Sequence, residues 1–133
     1  MRGMIKFAYT ILYVSDVEKT LSFYEQAFGF TRKFIVPSGE YGELSTGDTT
    51  LSFAAVWLAK KNLAAGFVES NAAGKPFGME IAFTTEDVEA TVSAAVKAGA
   101  VIVEKAQAKP WGQTVACVRA KSGHLIEICT TLS

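Results

Sequence analysis

The feature that most constrains this chain is that it is written twice. The stretch "YTILYVSDVEKT", Tyr9 to Thr20, returns at a constant offset of 71 positions as "EIAFTTEDVEAT", Glu80 to Thr91. Asp16-Val17-Glu18 falls on Asp87-Val88-Glu89, Thr20 on Thr91, and Tyr9 on Glu80. A chain of 133 residues is one domain's worth, able to bury roughly two-thirds of its unfolded surface. The two copies are therefore read as tandem modules of a single domain spanning 1–133, about 4–56 and 79–130, joined by a linker.

Each copy has the same order of elements. Met4 to Val14 is rich in Ile, Tyr, Phe and Val and predicts a strand, and Ser15 followed three residues later by Glu18 has the spacing of a capping box that opens a helix. Val17, Leu21, Tyr24 and Phe28 then form one apolar stripe that stops near Gly29. Strands are predicted at Phe30 to Val36, Tyr41 to Thr46 and Thr50 to Val56, punctuated by Pro37-Ser38-Gly39 and Gly47-Asp48. From Trp57 to Pro76 the composition shifts to Ala, Lys, Asn and Gly, with a short helix predicted at Leu58 to Ala65. The second copy then gives a strand at Met79 to Thr84, a helix start at Glu86-Asp87, the stripe Val88, Val92, Ala95 and Val96, and a stop at Gly99. Strands follow at Ala100 to Glu104, Gln113 to Arg119 and His124 to Cys129. The closing strands "TLSF" and "LIEI" correspond at an offset of 75, which sets Ser52 against Glu127. The fold class is α+β, two βαβββ modules forming a curved mixed sheet around a cavity, with the helices on the outer faces.

Strand phase gives the repeat its interest. Alternate residues of a strand face opposite sides, so if Thr10, Leu12 and Val14 pack on the helix, then Tyr9, Ile11 and Tyr13 face the other way. By the same count Glu80 opposes Ile81 and Phe83, Ser52 opposes Leu51 and Phe53, and Glu127 opposes Ile126 and Ile128. The four residues paired by the repeat, Tyr9, Ser52, Glu80 and Glu127, share the face away from the helices; they converge if the half-sheets curl together. Glu43 would be a third acid there, although the phase of its strand is left open by Glu40 to Gly42, which fit a turn as well.

Two βαβββ halves, with "YVSDVEKTLSFYEQAFGF" after the first strand and "KPWGQTVACVRAKSGHLIEI" at the end, resemble the glyoxalase, bleomycin-resistance and extradiol-dioxygenase superfamily, the vicinal oxygen chelate fold, over essentially the whole chain. That resemblance implies a homodimer and, in metal-dependent relatives, His, Gln or Glu ligands at positions that here are Tyr9, Ser52, Glu80 and Glu127. Of these, Glu127 alone is the residue the family places there. Transition metals want imidazole or thiolate donors, and the single histidine, His124, reads as an exposed turn residue. Two carboxylates with a phenol and a hydroxyl would hold Mg or Mn weakly. The expectation is therefore no tightly bound metal and no other cofactor, with weak binding of a divalent metal left open.

Composition narrows the partners. Thirteen basic and thirteen acidic residues cancel, with no basic block, which argues against nucleic acid and membrane surfaces. No apolar run approaches the roughly 20 residues of a bilayer span, and Met1 to Lys6 lacks a signal-peptide pattern, so a cytoplasmic location is expected. Cys117 and Cys129 are read as reduced, mostly buried thiols. Two function classes stay open. One is a metal-free binding protein whose cavity, acidic and lined by Tyr9, Tyr13, Trp57 and Trp111, takes a small cationic or planar molecule. The other is a lyase, isomerase or dioxygenase of the same superfamily using Glu80 and Glu127 as an acid–base pair or as ligands of a weakly held metal.

Overall fold

The structure, a computed structural model, describes residues 2–132. Its strands and helices follow the sequence in order: β1 (Tyr9–Val14), α1 (Val17–Phe28), β2 (Thr31–Ile35), β3 (Tyr41–Ser45), β4 (Thr50–Ala55), α2 (Val56–Asn62), β5 (Glu80–Thr84), α3 (Val88–Lys97), β6 (Val101–Ala108), β7 (Thr114–Arg119) and β8 (Leu125–Cys129). They form two four-stranded mixed sheets, ordered β1-β4-β3-β2 and β5-β8-β7-β6. In each, the first strand of the module runs parallel to the last and the remaining pairs are antiparallel. The registers repeat as the sequence does, with Tyr9 opposite Thr50 in one sheet and Glu80 opposite Leu125 in the other.

Both module helices start on an aspartate. Asp16 accepts a hydrogen bond from the Lys19 N–H at 3.0 Å, and Asp87 accepts one from the Ala90 N–H at 3.0 Å. Each satisfies one of the first-turn donors that a helix leaves unpaired. The Ser15–Glu18 capping box is thereby corrected: Glu18 instead forms an ion pair with Arg32, which also binds Glu25 at 2.8 Å and so ties β2 to α1. β1 is shorter than its apolar run, because residues 2–8 find no strand to pair with. Met4, Ile5 and Phe7 are 74–87 % exposed. The short linker helix, expected at Leu58 to Ala65, starts two residues and ends three residues earlier, at Val56–Asn62.

Helix placement departs from expectation. α1 packs on β3 and β4, α3 on β6 and β7, and the two helices pack on each other. The helices therefore lie between the sheets, not outside them, and a single core joins Leu12, Leu21, Leu44 and Phe53 of one module to Val92, Val118, Ile126 and Ile128 of the other. Tyr24 is central, fully buried against Phe53 of its own module at 5.1 Å and Phe83 of the second at 6.2 Å between ring centroids. The stripes differ at their ends: Ala27 and Ala95 are the buried residues, Phe28 is partly buried, and Val96 is 43 % exposed. Predominantly apolar inner faces explain this arrangement, since two such faces remove more surface from water against each other than each would alone.

The linker is pinned to the second module at the β7–β8 turn. Arg119 donates through Nη2 to the Asn71 carbonyl at 2.9 Å and through Nε to the Gly123 carbonyl at 3.0 Å, while the Ser70 hydroxyl donates to the Ser122 carbonyl at 2.8 Å. Gly123 sits at φ +95°, and a Cβ there would come within 2.5–2.8 Å of Ser70 Oγ and the Asn71 backbone. Gly123→Ala is expected to destabilise the protein by about 2–4 kcal/mol, combining left-handed strain with a backbone overlap that cannot rotate away; urea denaturation measures it. His124, expected to be exposed, is buried beside this clamp, with Nδ1 2.9 Å from the Ser122 hydroxyl. Burial, and then the Arg119 charge, lower its pKa.

Candidate functional site

The helix-averse faces of the sheets carry two polar clusters. On the first sheet, β3–β4 pairing sets Glu43 opposite Ser52 and Tyr41 opposite Ala54, and β1–β4 pairing sets Ile11 opposite Ser52. Register thus resolves the phase of Glu43, which shares a face with Ser52. The Tyr41 hydroxyl donates to Glu43 Oε2 at 2.6 Å. Burial, and then this bond to a carboxylate, push the Tyr41 phenol up to about 12, with Ser52 pulling the other way. Ser52 is fully buried and its hydroxyl makes no well-formed hydrogen bond among the described residues. Tyr9, 47 % exposed, stands at the open edge.

The second sheet carries the acidic pair. Cys117 lies opposite Glu127 across β7–β8, and Ala82 lies opposite Glu127 across β5–β8. The Cys117 thiol is 3.9 Å from Glu80 Oε1. Glu80 is exposed as a residue, but partial desolvation of its carboxyl, and then the charge and hydrogen bonding of Glu127, raise its pKa. Burial, with both carboxylates adding to it, pushes the Cys117 thiol up to about 11, so it is protonated at neutral pH and is a poor nucleophile. Cys117 and Cys129 are free and buried, as read from their scarcity.

Because the helices lie between the sheets, these two faces look away from each other. The structure brings Tyr9, Tyr41, Glu43 and Ser52 together on one and Glu80, Cys117 and Glu127 on the other, but does not bring the two groups together within the chain. Trp57 is 49 % exposed, with Lys61 Nζ 6.0 Å from its ring; Trp111 is 60 % exposed and donates its indole N–H to Gln113 at 2.7 Å. Tyr13 packs on Phe67 of the linker at 4.8 Å. No hydrogen bond ties these three to the carboxylates among the described residues. Tyr41 and Cys117 were missed by sequence reasoning, yet the alternation that selected Ser52 and Glu127 also selects their cross-strand neighbours once the register is known.

Glu80 supplies a pH prediction. Its pKa is higher folded than unfolded, so its contribution to stability is fully present below the ordinary glutamate range and is lost as the pH rises through the raised value. Glu80→Gln is expected to remove that loss. Thermal melts from below the glutamate range to neutrality should show the variant gaining on wild type as the pH rises.

Two repeated βαβββ modules packed through their helices, each presenting a polar sheet face, define a paired-module α+β protein. The chain belongs to the Glyoxalase/Bleomycin resistance protein/Dioxygenase superfamily, whose sequence model matches residues 6–128. Its backbone is similar to that of a glyoxalase-related enzyme from Fulvimarina pelagi, with TM-score 0.81, 23% identity and coverage of 96% of this chain and 89% of that one. A superfamily enzyme from Burkholderia phytofirmans gives 0.78, 24%, 94% and 98%, and a lactoylglutathione lyase from Agrobacterium tumefaciens 0.70, 18%, 97% and 96%, in the same order. At these identities the likeness shows the fold and leaves the reaction to the site. No curated protein matches the chain significantly in sequence. No helix among the described residues is long and apolar enough to cross a membrane.

The metal of metal-dependent relatives does not fit these residues. Tyr9, Ser52, Glu80 and Glu127 offer one phenol, one hydroxyl and two carboxylates, and no imidazole or thiolate donor. Among the described residues, no group of three or more His, Cys, Asp and Glu is placed to hold a metal ion.

Proposed function

We propose that this protein binds a small cationic or planar molecule, without a tightly held metal, in a cavity completed by a second copy of the chain. The observation that carries the reading is the separation of the half-sites. Each is a polar patch on an open sheet face, and β1 and β5, the module-opening strands, are free sheet edges. A two-fold dimer that sets the β1 edge of one copy beside the β5 edge of the other forms two equivalent cavities, each with the Tyr41–Glu43–Ser52 face of one copy opposite the acidic face of its mate. Tyr9 and Ile11, 47 % and 41 % exposed, are then covered. Paired carboxylates that are desolvated on assembly favour a cation between them.

Sedimentation at tens of micromolar is expected to give a dimer; a monomer would remove the cavity and overturn the reading. A thermal-shift screen of small organic cations, planar aromatic compounds and carboxylic acids tests the chemistry. Stabilisation of wild type and not of Glu80→Gln or Glu127→Gln supports it, whereas equal shifts in all three proteins, or shifts with anions alone, overturn it. The raised pKa of Glu80 beside Glu127 favours a second reading, proton transfer on an enolisable substrate by a superfamily enzyme.

A further inference from the structure

Between the two modules, beside the β1 and β5 strands, lies an open cavity of about 530 Å³ whose lining includes none of the carboxylates of the polar clusters. We infer that this inter-module cavity is a second binding site, for neutral planar aromatic molecules that carry hydrogen-bonding groups at their edge. Its volume lies within the roughly 300–1,000 Å³ of small-molecule sites. Its floor is an aromatic triangle drawn from three segments: the ring centroids of Phe28 and Phe30 lie 5.7 Å apart, and each is 4.9 Å from Phe83. All three rings are only partly buried, so their uncovered faces and edges remain for another ring to pack against.

The rim is a collar of threonines contributed by both modules. Thr46 and Thr91 already donate to the Thr49 and Asp87 carbonyls, Thr50 accepts from Lys33, and Thr85 accepts from the Asp87 N–H. The hydroxyls of Thr10, Thr49 and Thr84 make no hydrogen bond among the described residues, which leaves them to serve as donors or acceptors for a ligand's edge. Charge decides the class. Among the described lining residues Asp87 alone is ionisable, its Oδ1 capping α3 through the Ala90 N–H at 3.0 Å, and Lys33, bonded to the lining Thr50, brings the opposite charge to the same rim. With one charge of each sign beside it the cavity has no net charge to select an ion of either sign, and a neutral ligand is the one it accepts without desolvating a charge.

Equilibrium dialysis with 2-naphthol, a neutral bicyclic ring with one hydroxyl, tests this directly. Wild type is expected to bind one equivalent per chain saturably. Ala90→Trp, at an exposed helix position on the cavity wall, fills the space and should weaken binding by about tenfold or more, with unchanged melting. Thr84→Val keeps shape and removes a hydroxyl, and should weaken it by about three- to tenfold. Glu80→Gln, which is not among the residues lining the cavity, should leave it unchanged. Non-saturable uptake, or binding unaffected by both Ala90→Trp and Thr84→Val, overturns the inference; binding abolished by Glu80→Gln instead would place 2-naphthol at the carboxylate site and overturn it too.

Discussion

Tyr24→Ala is expected to lower stability by about 3–5 kcal/mol, the usual range for deleting a fully buried large aromatic side chain. For a domain of this size that is a fall in melting temperature on the order of 10–20 °C. The effect should sit at the top of the range because the ring joins the modules. It packs against Phe23, Phe28 and Phe53 of the first and Phe83 of the second, at centroid distances of 5.1–6.2 Å, and has no exposed surface. Tyr24→Phe separates packing from polarity. The Tyr24 hydroxyl is buried with no hydrogen-bond partner, and burial alone raises its pKa. Removing it should leave stability unchanged or raise it, because an unpaired buried hydroxyl costs about 1–3 kcal/mol. Denaturation in which Tyr24→Phe loses as much as Tyr24→Ala would show that the hydroxyl, and not the ring, holds the modules together.

Glu127→Gln is expected to weaken binding of a small organic cation by about 2–5 kcal/mol, the common result of removing one member of a charge pair desolvated in an interface. Glu127 is the better target of the two acids because it lies on a central strand of its sheet and is partly buried, whereas Glu80 is exposed on an edge strand. Substitution by the isosteric amide keeps the shape and removes the Glu127 charge, which after desolvation is the next cause of the raised Glu80 pKa, so the unliganded protein should melt at the same temperature or higher. Calorimetric titration of wild type and variant measures the difference. If the pair serves proton transfer instead, the variant keeps most of its affinity and loses turnover, so affinity and turnover measured together separate the two readings.

How much of this was legible in the sequence differs between levels. The succession of strands and helices along the chain, most of each helix stripe and the repeat were readable, because period and turn chemistry are local. Errors fell where a local signal had two uses. Ser15 and Asp16 both suit an N-cap, and the structure uses Asp16, leaving Glu18 for Arg32. Met4 to Ala8 has strand composition and no partner strand. His124 reads as a turn residue and is buried because the linker folds over it through Ser70 and Asn71, at a sequence distance no local pattern spans.

The site shows the same division. By itself the sequence determined which residues leave the helix side of each sheet, since alternation along a strand is a covalent property of the backbone, and so it named Tyr9, Ser52, Glu80 and Glu127. Cross-strand register, a tertiary fact, added Tyr41 to Glu43 and Cys117 to Glu127. Tertiary structure alone decided which way the faces look. Two apolar helix stripes bury more surface against one another than either does alone, so the helices meet in the middle and turn the polar faces outward. That single packing choice divides the four paired residues between two surfaces.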